Sequence, residues 1–109
     1  MSLRKTVSKE NLTNPINITV DAENLDYEKA RLISDQKAME LAAEPMLLGW
    51  YDSRTGRFSP NVECCSEFKP GWIVYAETRG GDITIDINNE EYVFIYRDLA
   101  KNYRYRGHT

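Results

Sequence analysis

The sequence is poor in the residues on which familiar active-site chemistry depends. Of 109 residues, two are cysteine and one is histidine. Two cysteines are too few for a disulfide scaffold. They are also neighbours, Cys64 and Cys65. Adjacent Cα atoms lie ~3.8 Å apart, inside the ~4.4 Å lower limit of an ordinary disulfide. A bond between these two would be strained and easily reduced. A structural zinc site takes four ligands, usually Cys or His, so this chain would need carboxylates or a second copy to complete one. Nucleophilic catalysis by a thiol normally wants a histidine as base. The solitary His108 stands near the end of the chain, so no Cys–His dyad is expected. No Gly-rich stretch has phosphate-binding spacing. Neither a cofactor nor a metal is expected.

Long apolar runs are missing as well. None approaches the ~18 residues that cross a bilayer, and residues 1–10 contain no hydrophobic stretch, so no membrane segment and no secretory signal are expected. A soluble, cytoplasmic protein is the expectation. Charge of one sign is scarce: 14 basic against 17 acidic side chains give a net charge of −3. That balance argues against a domain-wide electrostatic footprint for nucleic acid. A basic, Tyr-rich stretch at residues 101–106 could grip a single strand by stacking and charge, but three cations make a small patch. The more economical reading is a solvated terminus.

What is present suits one folded domain. Apolar residues make up 41% and charged residues 28%, a composition that supports a packed core rather than disorder. A chain of this size buries roughly two-thirds of its unfolded surface, enough for one core. Residues 1–13 are mostly polar and without period and are expected to form a flexible N-terminal tail. Residues 14–100 are expected to form the domain, and residues 101–109 a flexible C-terminal tail.

Within the domain, Ile16, Ile18 and Val20 alternate with polar residues and predict a half-buried strand. A helix should follow, since Asn24 and Asp26 are good N-caps and no Gly or Pro intervenes before Pro45. Tyr27, Ala30, Ser34, Ala38 and Leu41 share one face of that helix. Leu25, Leu32, Met39 and Ala43 share nearly the opposite face, which needs a cover: a tail, a loop or another subunit. Residues 46–51 are apolar on both faces and predict a strand well inside the sheet. Residues 52–56 are turn chemistry, and Arg57 and Phe58 start a short return strand. Residues 72–78, 82–87 and 91–96 are read as three strands joined by Arg79-Gly80-Gly81 and Asn88-Asn89-Glu90, an antiparallel meander. Asp82, Thr84 and Asp86 are expected to form its exposed polar face. The fold class is therefore α+β, strand–helix–strand and then the meander. One long helix should pack on one face of a mixed, mostly antiparallel sheet.

The stretch from Gly49 to Gly71 is the best place for a site. It is longer than the ~12 residues at which structureless loops become unusual, and such loops are often functional. Trp50, Asp52, Arg54, Glu63, Cys64 and Cys65 offer an aromatic wall, one cation, two carboxylates and two thiols, a set that would suit a small polar ligand. The same aromatics could instead close the end of the core, with one thiol buried as a small hydrophobe.

The run GWYDSRTGRFSPNVECC, together with PGWIVYAETRGG, resembles a small uncharacterised family of archaeal and bacterial proteins. The resemblance spans residues 15–98. It implies no activity, substrate or cofactor, and it draws attention to the loop that carries Cys64 and Cys65. With no complete catalytic set, two functional readings stand. The first is a non-enzymatic binding or protein-interaction module, expected to pair as a homodimer or with a protein partner, since aromatics are enriched at interfaces. The alternative is a thiol-dependent redox or metal-assisted activity at Cys64-Cys65.

Overall fold

A computed structural model describes residues 7–21, 23–61 and 69–100. Among these, five strands form one mixed sheet in the order β1-β4-β5-β2-β3. The strands are β1 (Ile16–Ile18), β2 (Pro45–Asp52), β3 (Arg57–Ser59), β4 (Ile83–Ile87) and β5 (Tyr92–Asp98). Helix α1 spans Tyr27–Leu41 and α2 spans Gly71–Thr78. The class is α+β.

Helix α1 starts where a cap is available. The Asp26 side chain accepts the Lys29 N–H at 2.9 Å, satisfying one of the donors that a helix start leaves orphaned. Ala30, Ser34 and Ala38 recur at helical spacing, and all three are fully buried. Their small side chains let the helix lie close on the sheet. Beneath it, Ile85, Ile87, Tyr92, Phe94 and Tyr96 project from β4 and β5 and fill one core with it. The alternate residues Val93 and Ile95 point to the other face, as the two-residue period of a strand requires.

That second face corrects part of the expected architecture. Residues 72–78 are not a strand but lie within α2. Trp72, Ile73, Val74 and Tyr75 all favour strands, yet Trp72 and Ile73, with Ala76 a turn later, lie on one side of the helix and are buried against the sheet. Over eight residues, tertiary packing outweighs that propensity. Pro70 precedes the helix, and Gly80, at φ 89°, helps end it. The Gly81 and Gly80 N–H groups return to the carbonyls of Ala76 and Glu77, the double bond of a Schellman stop. Arg79-Gly80-Gly81 therefore closes a helix rather than joining two strands.

The antiparallel triple exists, but β4, β5 and β2 make it. Tyr51 stacks on Trp72 with ring planes 12° apart. Gly49 provides the room, because a Cβ there would stand 3.0 Å from the Trp72 ring and 2.9 Å from the Ser59 carbonyl. Strand β1 pairs in parallel with β4, not with β2. Helices thus cover both faces of the sheet.

Residues 1–6 and 101–109 of the expected tails lie outside the described residues. Residues 7–13 cross the α2 side of the sheet, where Val7 and Leu12 are buried in the same cluster as Trp72 and Ile73. The face carrying Thr84 and Asp86 is consequently not exposed. Both residues are buried, and only Asp82, at the strand's approach, meets solvent.

Candidate functional site

Trp50 and Asp52 lie two residues apart on β2 and so share the face that α1 covers. Their cross-strand neighbours are Phe94 and Tyr92. Tyr27, placed by the Asp26 cap as the first residue of α1, sets its ring 4.7 Å from Trp50 and 5.8 Å from Phe94. Three aromatics thereby close this end of the core, and Trp50 stays half-buried.

The turn after β2 is wound around Asp52. Its carbonyl accepts the Gly56 N–H at 2.8 Å, and its carboxylate accepts the Arg54 N–H at 2.9 Å. A short acidic side chain that bonds the backbone two residues on is a standard way to hold a turn. This fold-back aims Arg54 at the start of α1, where its guanidinium donates to the Leu25 carbonyl. Its Nε stands 4.0 Å from Glu91. Burial, then the charge of Asp52, pushes the neighbouring Tyr92 phenol up, and Arg54 opposes the shift. Trp50, Asp52 and Arg54 are therefore brought together at one end of one sheet face. Glu63, Cys64 and Cys65 lie outside the described residues.

Across the sheet is a polar cluster that the alternation of β4 obscured. The Asp86 side chain is 0% exposed. One of its oxygens lies 2.9 Å from Lys9 Nζ, and the other accepts the Glu90 N–H at 2.5 Å. Lys9 also reaches Asn17 at 2.8 Å and Glu90 at 2.8 Å. Two carboxyls thus share one ammonium. The hydrogen bond to Asp86, then burial, holds the Glu90 carboxyl above the usual glutamate range, and Lys9 pulls against both. The same two carboxyls push the Lys9 ammonium up.

The turn that carries Glu90 is unusual. Asn88, Asn89 and Glu90 all take left-handed backbone angles, with φ of 54°, 54° and 65°. Asn tolerates that region, whereas Glu adopts it seldom. The bond from its own N–H to Asp86 fixes Glu90 there. The signal in the sequence was an aspartate inside an Ile-rich strand, which reads as solvent-facing only if the second sheet face is bare.

A third polar chain ties α1 down. The Tyr96 hydroxyl lies 2.8 Å from Ser34 Oγ and donates to Asp35 at 2.6 Å. Arg31 Nε donates to Asp35 at 3.1 Å, and its terminal nitrogen donates to the Tyr27 hydroxyl at 3.3 Å. Burial, then the Asp35 carboxylate, raises the Tyr96 phenol far above its ordinary range. The buried Ser34 is thus a hydrogen-bonding residue within the small-residue face of α1.

The opposite side of α1 has no such cover among the described residues. Leu32 is 60% exposed and Met39 62%. Of the second apolar stripe, only Leu25 is buried. Among the described residues no group of three or more His, Cys, Asp or Glu side chains is arranged to hold a metal ion. No helix there is long and apolar enough to cross a membrane.

Residues 13–96 match the profile of a family described as a domain of unknown function, DUF5619. An uncharacterized protein of Archaeoglobus fulgidus is 38% identical over 74 residues, which are 65% of this chain and 79% of that one. A crystal structure of a novel protein from the same organism superposes with a TM-score of 0.66 at 29% identity. It covers 80% of this chain and 95% of the other.

Proposed function

Since the chain belongs to the DUF5619 family, whose description assigns no activity, we propose a function from its own surface. It is a small non-enzymatic interaction module that pairs with a second copy through the outer side of α1. The observation that carries this reading is the exposed pair Leu32 and Met39. They stand seven residues apart and so lie on one stripe, two turns from each other.

The surrounding charges suit an isologous contact, in which one patch meets its own copy. With two α1 helices antiparallel, Leu32 of one copy faces Met39 of the other. Lys29 and Glu40 flank the stripe on the same side, near opposite ends of the helix. The antiparallel arrangement brings each Lys29 toward the Glu40 of the other copy. Trp50, Asp52 and Arg54 are the residues through which such a module would contact a small polar ligand, because they meet at one end of the sheet face that α1 covers.

Sedimentation equilibrium tests the pairing. A monomer–dimer equilibrium at high micromolar concentration is expected, and Leu32→Glu combined with Met39→Glu should abolish it while leaving the circular dichroism unchanged. A wild-type chain that stays monomeric at those concentrations rules the reading out.

A further inference from the structure

Residues 7–13 fill a groove on the side of the sheet away from α1. Val7 and Leu12 enter the apolar cluster formed by Trp72, Ile73, Ala76, Val93 and Ile95. Between them, Lys9 reaches the buried carboxylate of Asp86. Thr13 donates to Glu77 on α2 at 3.1 Å. The groove thus takes two apolar anchors and one cation in a fixed order. The stretch that matches the family profile begins at Thr13, so residues 7–12 precede it.

The link that folds this segment back is short and strained. Asn14 has φ 48° and is followed at once by Pro15. Left-handed angles still carry a small cost for asparagine, and a residue before proline is driven to extended angles. Both penalties vanish when Asn14 extends. An extended Asn14, however, carries residues 7–12 away from the groove of their own chain.

We propose that this groove is a docking surface for the same segment of a second copy, so that two chains exchange residues 7–12 reciprocally. The exchanged segment makes the contacts it makes within one chain: Val7 and Leu12 in the apolar cluster, Lys9 on Asp86. Exchange of an identical element is a low-cost route to a dimer, and here release of Asn14 favours it. The groove lies on the opposite sheet face from α1, so the exchange is independent of the pairing through Leu32 and Met39.

The test compares the wild type with Asn14→Gly and Asn14→Val, each in a Leu32→Glu, Met39→Glu background that silences the α1 contact. Glycine accepts the folded-back angle, whereas valine resists it. Light scattering after size exclusion should show a dimer fraction at least tenfold higher for Asn14→Val than for Asn14→Gly. In a dimer made from labelled and unlabelled chains, isotope-filtered nuclear Overhauser effects should connect the Leu12 methyls of one copy with the Trp72 ring of the other. Equal dimer fractions in the three chains, or contacts confined to single chains, overturn the proposal. Should Asn14→Val fail to fold, the background chain refolded from urea at high concentration as a labelled and unlabelled mixture decides. Contacts between copies support exchange, and their absence overturns it.

Discussion

Lys9 and Asp86 are 77 residues apart in sequence and 2.9 Å apart in space. The carboxylate is wholly enclosed, while the lysine stem comes in from a half-exposed position. The lysine is therefore what makes a buried charge tolerable at this place in the sheet. Removing one partner of such a pair leaves the other uncompensated.

Lys9→Met should accordingly lower the urea midpoint, and Lys9→Arg should lower it less. The decisive measurement is a double-mutant cycle. When Asp86 is already Asn, the loss caused by Lys9→Met should shrink, because no buried charge remains to be orphaned. Equal losses in both backgrounds would mean that Lys9 acts only by packing.

Glu90 gives the fold a pH dependence of definite sign. Its carboxyl titrates above its ordinary range in the folded chain, first because it hydrogen-bonds Asp86 and then because it is buried. The folded state thus holds this proton more tightly than the unfolded one. The resulting contribution is fully present below the unfolded pKa and is lost as pH rises through the folded value. Urea unfolding followed upward from the ordinary glutamate range should show this loss in the wild type, and Glu90→Gln should flatten it. An unchanged slope in Glu90→Gln would assign the effect to another group.

Tyr96→Phe should destabilise the chain by about 1–2 kcal/mol, the usual cost of a lost buried hydrogen bond and a partner left unsatisfied. The phenol serves both Ser34 and Asp35. Ser34→Ala in the same background should recover part of the loss, since it removes the stranded hydroxyl. Thermal melts of the four chains would show it.

Gly49→Ala should cost about 1–3 kcal/mol, the range for overpacking a close-packed site. The added Cβ would meet the Ser59 carbonyl at 2.9 Å and the Trp72 ring at 3.0 Å. Neither neighbour retreats freely, because one is backbone and the other is fully buried. The near-ultraviolet signal of Trp72 should change along with the melting temperature.

Helix α1 could be read from the sequence because its signals are local. Asp26 caps it, the small residues repeat at helical spacing, and Pro45 bars its extension. The hairpin of β4 and β5 was equally plain from Ile83, Ile85 and Ile87 and the Asn-Asn turn. Helix α2 was hidden because Trp72, Ile73, Val74 and Tyr75 prefer strands, and only the floor of Val93 and Ile95 makes a helix the better packing. Asp86 misled for the same reason. Its alternation with isoleucine marks a half-exposed strand until a second layer arrives, and that layer comes partly from polar residues 7–13. Of the site residues, Trp50, Asp52 and Arg54 were legible as a group because they lie within five residues, at the end of β2 and in the turn that follows it. Tyr92 and Glu91, which complete their surroundings, come from the far end of the chain, where no local pattern announces the meeting.

The parallel pairing of Ile16 with Ile85 sets an order of events during synthesis. The β2–β3 hairpin can begin to form as it leaves the ribosome, since a short turn joins its strands, and α1 can begin to wind from its own cap. Strand β1 waits for its pairing with β4, and Lys9 waits for Asp86 and Glu90. Contacts between distant parts of a chain form late, because a long loop must close before they bring any return. Residues 7–18, made well before β4, are therefore among the last to find their places.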